Sequence, residues 1–215
     1  MTFLKKIIAG VIACTTTASF ACIYNTTASA VLDTGIEYNL TEETTNFYDS
    51  WKSKYVIKNN YVKNEDQYYV LYSEGSSEVT VSEAHGYGML IAASMAEHDK
   101  DAKEIFDGMY NFYKAHPSSI GPNLMAWQQS DTGSAIVDTS ADSDSATDGD
   151  MDIAYALLMA DSVWGSDGEV NYKKAAIDVI NDIMTYEVNK TDWILQLGDW
   201  AYWSKPGDQY YSATR

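Results

Sequence analysis

Ala146-Thr147-Asp148-Gly149-Asp150-Met151-Asp152-Ile153-Ala154, running on to Trp164, is the stretch on which the fold of this chain turns. Three carboxylates, Asp148, Asp150 and Asp152, sit at alternate positions in or just before the first turn of a helix. The apolar run of Ile153, Ala154, Ala156, Leu157, Leu158, Met159, Ala160 and Val163 covers most of the circumference. Such a helix is expected to be buried nearly all round. A helix N-terminus welcomes negative charge through its free N–H groups and its dipole. Acids placed there can be plain caps, but three of them exceed what capping requires.

Working outward, Ser82 to about His98 reads as a second helix dense in Met, Leu, Ile and Ala. Asp101 to Ala115 and Asn171 to about Tyr186 each carry one apolar stripe with charges opposite. Inner helices apolar all round, alternating with outer amphipathic ones, predict a layered all-α domain. Thr41 is placed to cap a helix to about Tyr55, with Phe47, Trp51 and Tyr55 on one face. Tyr61 to Tyr72 alternates loosely and reads as a small hairpin turning at Asn64-Glu65-Asp66. The stretch from Pro117 to Ser145 reads as a long loop, and Trp193 to Arg215 as aromatic and irregular.

The 215 residues carry a formal charge of −17, and no basic patch for nucleic acid is visible. Residues 1–30 have the form of a secretory signal: Lys5 and Lys6, an apolar segment to about Cys14, and the small-residue site Ala28-Ser29-Ala30. The apolar run is too short to span a membrane. Cleavage leaves residues 31–215 as the domain, secreted and without cysteine, since Cys14 and Cys22 both lie in the leader.

Ser82-Glu83-Ala84-His85-Gly86-Tyr87-Gly88-Met89 opens the other inner helix. Glycines near a helix start usually mean that something approaches the backbone closely. Glu83 beside them either faces a cleft or merely favours the helix dipole; composition leaves both open. Glycoside hydrolysis needs a carboxylic acid at the leaving oxygen and a carboxylate across the ring, and Glu83 with Asp148 offers two such groups. The helix dipole favours ionised Glu83, so its proton would have to be held by burial against aromatics and by the like charge of Asp148. Sugar rings need flat apolar platforms with polar edges. The chain has 17 Tyr and 6 Trp, and Trp127, Trp200 and Trp203 lie in loop-like sequence. Each of these either faces a sugar or plugs the core beneath a loop.

Metal chemistry fits poorly. A calcium loop beginning at Asp148 has Ile153 where Gly is required and Met159 where Glu is required. His85, His98 and His116 have no zinc spacing. No metal or cofactor is expected.

Ala146-Thr147-Asp148-Gly149-Asp150 with Ile153-Ala154, Ala156-Leu157-Leu158, Ala160 and Trp164 resembles the signature of glycoside hydrolase family 8 at every spaced position. Ser82-Glu83 with Gly86-Tyr87-Gly88-Met89, Leu124-Met125-Ala126-Trp127 and Gly198-Asp199-Trp200-Ala201 resemble further segments of that family, in order. The resemblance spans roughly Thr41 to Arg215. It implies an (α/α)6 barrel of inner and outer helices, and inverting hydrolysis of β-1,4-linked glucan, with chitosan and xylan as sister substrates. Glu83 is then the general acid, and Asp148 binds and distorts the central sugar. Tyr87, Trp127, Asp150, Trp200 and Tyr210 are implied to bind substrate. The implied protein is a monomer at full length, with a polysaccharide as its partner and no membrane association. Ala84 and His85 depart from the family's usual residues; His85 either tunes Glu83 or is simply tolerated. The family's general base is expected beyond Arg215, so the 215-residue chain is expected to be inactive. A non-catalytic carbohydrate-binding protein is the alternative from another class.

Overall fold

The computed structural model describes residues 29–31, 37–139, 143–205, 207 and 208, with side chains from Glu42 onward. Apart from Ser29 and Ala30, the expected signal segment lies outside these residues, and so does Tyr210. The chain divides into two units, Met1–Ser50 and Trp51–Arg215. In the first, β1 (Ser29–Val31) pairs antiparallel with β2 (Glu37–Asn39). Helix α1 (Leu40–Tyr55) follows and crosses the division. The expected stripe through Phe47 is corrected: Phe47 is 77% exposed and its neighbour Tyr48 is buried.

The second unit is built on α2 (Ser82–Ser94) and α4 (Thr147–Trp164), which pack against each other. Helix α3 (Ala102–Ala115) backs α2, and α5 (Tyr172–Asp182) backs α4. This is the inner and outer alternation that the apolar patterns predict. The stripe of α3 enters the core through Ile105, Phe106, Met109 and Phe112, while Lys103, Glu104 and Lys114 stay outside. Phe106 meets Trp164 and Tyr172 edge-on, at 5.2 and 5.5 Å between ring centroids, and so joins α3 to α4 and α5. Such edge-to-face contacts add to the area buried.

Helix α4 departs from expectation on one side. Ile153, Ala156, Leu157 and Ala160 are fully buried, but Met151, Tyr155 and Leu158 stay exposed. Those three share a face at helical spacing, and no described element covers it. Helix α5 ends earlier than the amphipathic pattern suggests. A π-helical turn, Ile183–Glu187, replaces its last turn and buries Glu187.

Short strands complete the unit. The hairpin expected within 61–72 is instead β3 (Val56–Lys58) against β4 (Tyr68–Val70). Its loop is clamped where Asn59 N–H donates to Gln67 O at 2.8 Å and Asn59 Nδ2 to Gln67 Oε1 at 3.0 Å. A three-stranded antiparallel sheet runs β5 (Glu78–Val81), β6 (Gln128–Asp131), β7 (Ile136–Asp138). Polar residues fill β6, so periodicity does not announce it. Gly133, at φ +82°, provides the turn to β7.

Phe106→Ala is expected to destabilise the chain by about 3–5 kcal/mol, the usual cost of emptying such a site. A urea midpoint unchanged from that of the parent chain would contradict this account of the core.

Candidate active site

Strand β5 runs directly into α2, so Val81 is extended and Glu83 falls in the first helical turn. Extended Ala146 leads in the same way into α4, with Asp148 in its first turn. Glycines let these two helix starts interlock. A Cβ on Gly149 would overlap the Ser82 side chain and come within 2.6 Å of the Ser82 carbonyl carbon. A Cβ on Gly86 would lie 2.7 Å from Asp152 Cβ and 3.1 Å from Gly149 O. Side-chain-free contact on both helices thus brings the turn of Glu83 against the turn of Asp148.

The charges show the result. Tyr87 lies one turn beyond Glu83, half exposed. The charge of Glu83 and a hydrogen bond to it, then Asp152 and Asp148, push the Tyr87 phenol above its ordinary value. Partial burial, then Asp148 and Glu83, raise the Asp152 carboxyl. Glu83, Tyr87, Asp148 and Asp152 therefore act on one another in one place. Both Glu83 and Asp148 are solvent-exposed. Glu83 is exposed rather than buried against aromatics as expected, and Asp152 on α4 feels its charge.

Beside this pair lies a cavity of about 320 Å³, lined by Trp127, Asp144, Ser145, Ala146, Leu197 and Trp200. Its link to the carboxyl pair is direct. Trp127 O accepts from Ser82 N–H at 2.8 Å, and Trp127 N–H donates to Asp144 O at 2.7 Å. The Trp127 backbone is thus tied to the residue before Glu83 and to the segment entering α4. Its side chain is about half exposed, and Trp200, also in the lining, is partly buried. Two indoles facing a small open cavity suit a sugar ring.

Buried acids hold the loops that carry these indoles. Asp199 accepts from Ser145 N–H at 2.9 Å, Gly121 N–H at 3.1 Å and the Ser118 hydroxyl. Thr147 Oγ1 donates to Gln196 O at 2.7 Å. Asp150 accepts from Met125 N–H at 2.8 Å. Asp150 is fully buried, so the expectation that it touches substrate is corrected: its carboxylate faces inward and positions the segment before Trp127. Asp199 and Glu187 have equivalent scaffolding roles that residue type alone did not reveal.

His85 is settled by the same geometry. It is fully buried against Phe112, and Nε2 lies 2.9 Å from Met109 O. A carbonyl only accepts, so Nε2 carries the hydrogen. Burial pushes the ring down to about 4, which keeps it neutral. It faces the core rather than Glu83, so it packs α2 on α3 instead of tuning the acid. Among the described residues, no cluster of His, Cys, Asp or Glu is placed to hold a metal ion. No described helix is long and apolar enough to cross a membrane.

Comparison with known proteins matches the model of "Glycosyl hydrolases family 8" over residues 21–210. A "Beta-glucanase" of Niallia circulans is 51% identical over 154 residues, 72% of this chain and 35% of that protein. An "Endoglucanase" of Bacillus sp. (strain KSM-330) is 41% identical over 180 residues, 79% of this chain and 38% of that protein. Among solved structures, the apo form of a beta-1,3-1,4-glucanase from Paenibacillus sp. X4 superposes with a TM-score of 0.69 at 46% identity, over 81% of this chain and 44% of that one. A cold-adapted family 8 xylanase shares the fold at a TM-score of 0.60 and 21% identity, over 75% of this chain and 41% of that one. The architecture is part of an all-α barrel of inner and outer helices, incomplete in this chain. The chain spans a little over a third of the length of these curated relatives.

One consequence is measurable. Ser145 Oγ donates to Glu187 Oε1 at 2.7 Å, and Asp150 Oδ2 and Glu187 Oε2 are buried in the same place. Burial pushes Glu187 up to about 7. Burial, with the charge of Glu187, pushes Asp150 well above its ordinary value. A proton held between the two carboxyls satisfies both. Their pKa values rise on folding, so the folded chain binds more protons than the unfolded one. The stabilisation is full below the unfolded value of 4.5 and is lost as pH rises through about 7. The urea midpoint is expected to fall between about pH 5 and about pH 8, and less steeply in Glu187→Gln. Parallel pH slopes for the two proteins would show that the pair is not the source.

Proposed function

This chain belongs to glycosyl hydrolase family 8, and from that premise we propose that it is the acid-bearing part of a secreted endo-β-1,4-glucanase. The observation that carries the reading is the interlock at Gly86 and Gly149, which joins the helix turns bearing Glu83 and Asp148 beside the segments that line the Trp127–Trp200 cavity. In this reading Trp127 and Trp200 stack sugar rings across the cavity. Glu83, held by the Tyr87 hydroxyl, protonates the glycosidic oxygen as the bond to the anomeric carbon breaks. Asp148 hydrogen-bonds the central sugar and holds it distorted toward the oxocarbenium-like transition state. Inversion needs a water activated by a second carboxylate on the opposite face of the ring. That base is expected in the part of the family domain that the relatives have beyond this chain's span.

The names of the relatives support glucan as the substrate class: a "Beta-glucanase", an "Endoglucanase" and a beta-1,3-1,4-glucanase. Xylan and chitosan remain sister substrates within the proposal. Secretion rests on the leader-like residues 1–30, and a monomeric state at full length completes the reading.

Glu83→Gln is expected to lower hydrolysis of mixed-linkage glucan by the whole protein at least about a hundredfold, the usual worth of general acid catalysis. Binding should be little changed. Undiminished hydrolysis in that variant would remove Glu83 from the mechanism. Glucan binding with no hydrolysis by the unmutated whole protein would favour a carbohydrate-binding protein instead.

A further inference from the structure

Trp193 stands apart from the aromatic residues assigned above. It lies in the loop between Val188 and Leu195, whose backbones form an antiparallel bridge. Its side chain is 67% exposed. Its backbone sits at φ +56°, in the left-handed region that bulky residues rarely enter. Such a conformation persists only where the surroundings over-determine it, and it collects at binding sites.

The surroundings here do so. Trp193 N–H donates to Asn189 O, and Asn189 N–H to Ile194 O, both at 2.9 Å. Asn189 Oδ1 accepts from Thr191 N–H at 2.8 Å and Asp192 N–H at 3.2 Å. A well-bonded loop thus holds a strained backbone, and the indole it carries is left facing water. Lys190 Nζ lies over one face of the ring, 6.0 Å from its centroid, and Thr191 is exposed beside it, so a stacking sugar would use the opposite face. A flat apolar face with polar neighbours is the chemistry that stacks on a pyranose ring.

The loop also leads into the cleft. Leu197, four residues on, lines the Trp127–Trp200 cavity. Gln196 between them is fastened to Glu187 O at 2.8 Å and to Thr147 on α4. Four residues reach at most about 14 Å, so the backbone of Trp193 lies within that distance of the cavity wall. A polymer leaving the cavity on this side passes close to the indole; a short oligosaccharide held in the cavity does not need it.

We infer that Trp193 is an outlying stacking platform for a β-linked glucan chain, a subsite beyond the Trp127–Trp200 cavity. The inference rests on the glucan reading of that cavity.

The test is binding by the whole protein, carrying Glu83→Gln to stop hydrolysis, measured calorimetrically with soluble mixed-linkage β-glucan and with cellotriose. Trp193→Ala is expected to weaken polymer binding about tenfold, the worth of one stacking contact, and to leave cellotriose unchanged. Trp193→Phe should keep most of the polymer affinity. Trp193→Gly suits the left-handed backbone, so it should unfold at an equal or higher urea concentration and still bind polymer as weakly as Trp193→Ala. Trp127→Ala should weaken both ligands. Polymer binding by Trp193→Ala equal to that of the parent chain overturns the subsite and leaves the cavity reading standing. Equal weakening of polymer and cellotriose also overturns it, because Trp193 would then act through the cavity's shape. A parent chain that binds neither ligand sinks the glucan reading and the subsite with it.

Discussion

The close approach of two helix starts, made possible by the missing side chains of Gly86 and Gly149, is the constraint on which the site depends. Ser82 and Asp152 occupy the space where a Cβ would otherwise stand. Any larger residue at either glycine would push α2 and α4 apart at the end that carries Glu83 and Asp148. Glycine inside a helix is costly, by about 1 kcal/mol relative to alanine, so its presence at both contacts is informative. The same approach brings Tyr87 and Asp152 into the field of the exposed acids, which raises the phenol and adds to the effect of partial burial on the Asp152 carboxyl.

Around this contact the loops are held by buried acceptors rather than by apolar packing alone. Asp199 gathers donors from Ser118, Gly121 and Ser145, and Asp150 takes the amide of Met125. A buried carboxylate is costly unless its oxygens are satisfied. Satisfied ones fix geometry sharply, because losing a single donor leaves an uncompensated polar group in the interior. Segments 117–127 and 143–146, and the turn at Asp199, are thereby registered to the start of α4. Trp127 and Trp200 ride on them. The acidic cluster at this helix start thus divides by direction: Asp148 faces out, Asp152 is half-buried between the helices, and Asp150 faces in. Alternate acids in one helical turn point to different sides, which a linear motif does not express.

Much of this was legible in residue order. The apolar runs of 82–94 and 147–164 against the single stripes of 102–115 and 172–182 determined which helices lie inside, because burial follows the width of the apolar face. Glycines after Glu83 marked a close approach, and the spaced positions from Ala146 to Trp164 marked the family. Other features depended on partners distant in the chain. The inward turn of Asp150, the core burial of His85 beneath Phe112 and the recruitment of Glu187 by a π-helical turn each required a neighbour that no local pattern names. Strand β6 is polar along its length and is held by the strands on either side of it. The sequence by itself determined the helices, their inner and outer ranks and the acids at their starts, since those follow from periodicity and chain-local sterics. Only the tertiary structure decided which acids meet solvent and which serve as internal acceptors, because that choice is made by hydrogen-bond donors supplied from across the fold.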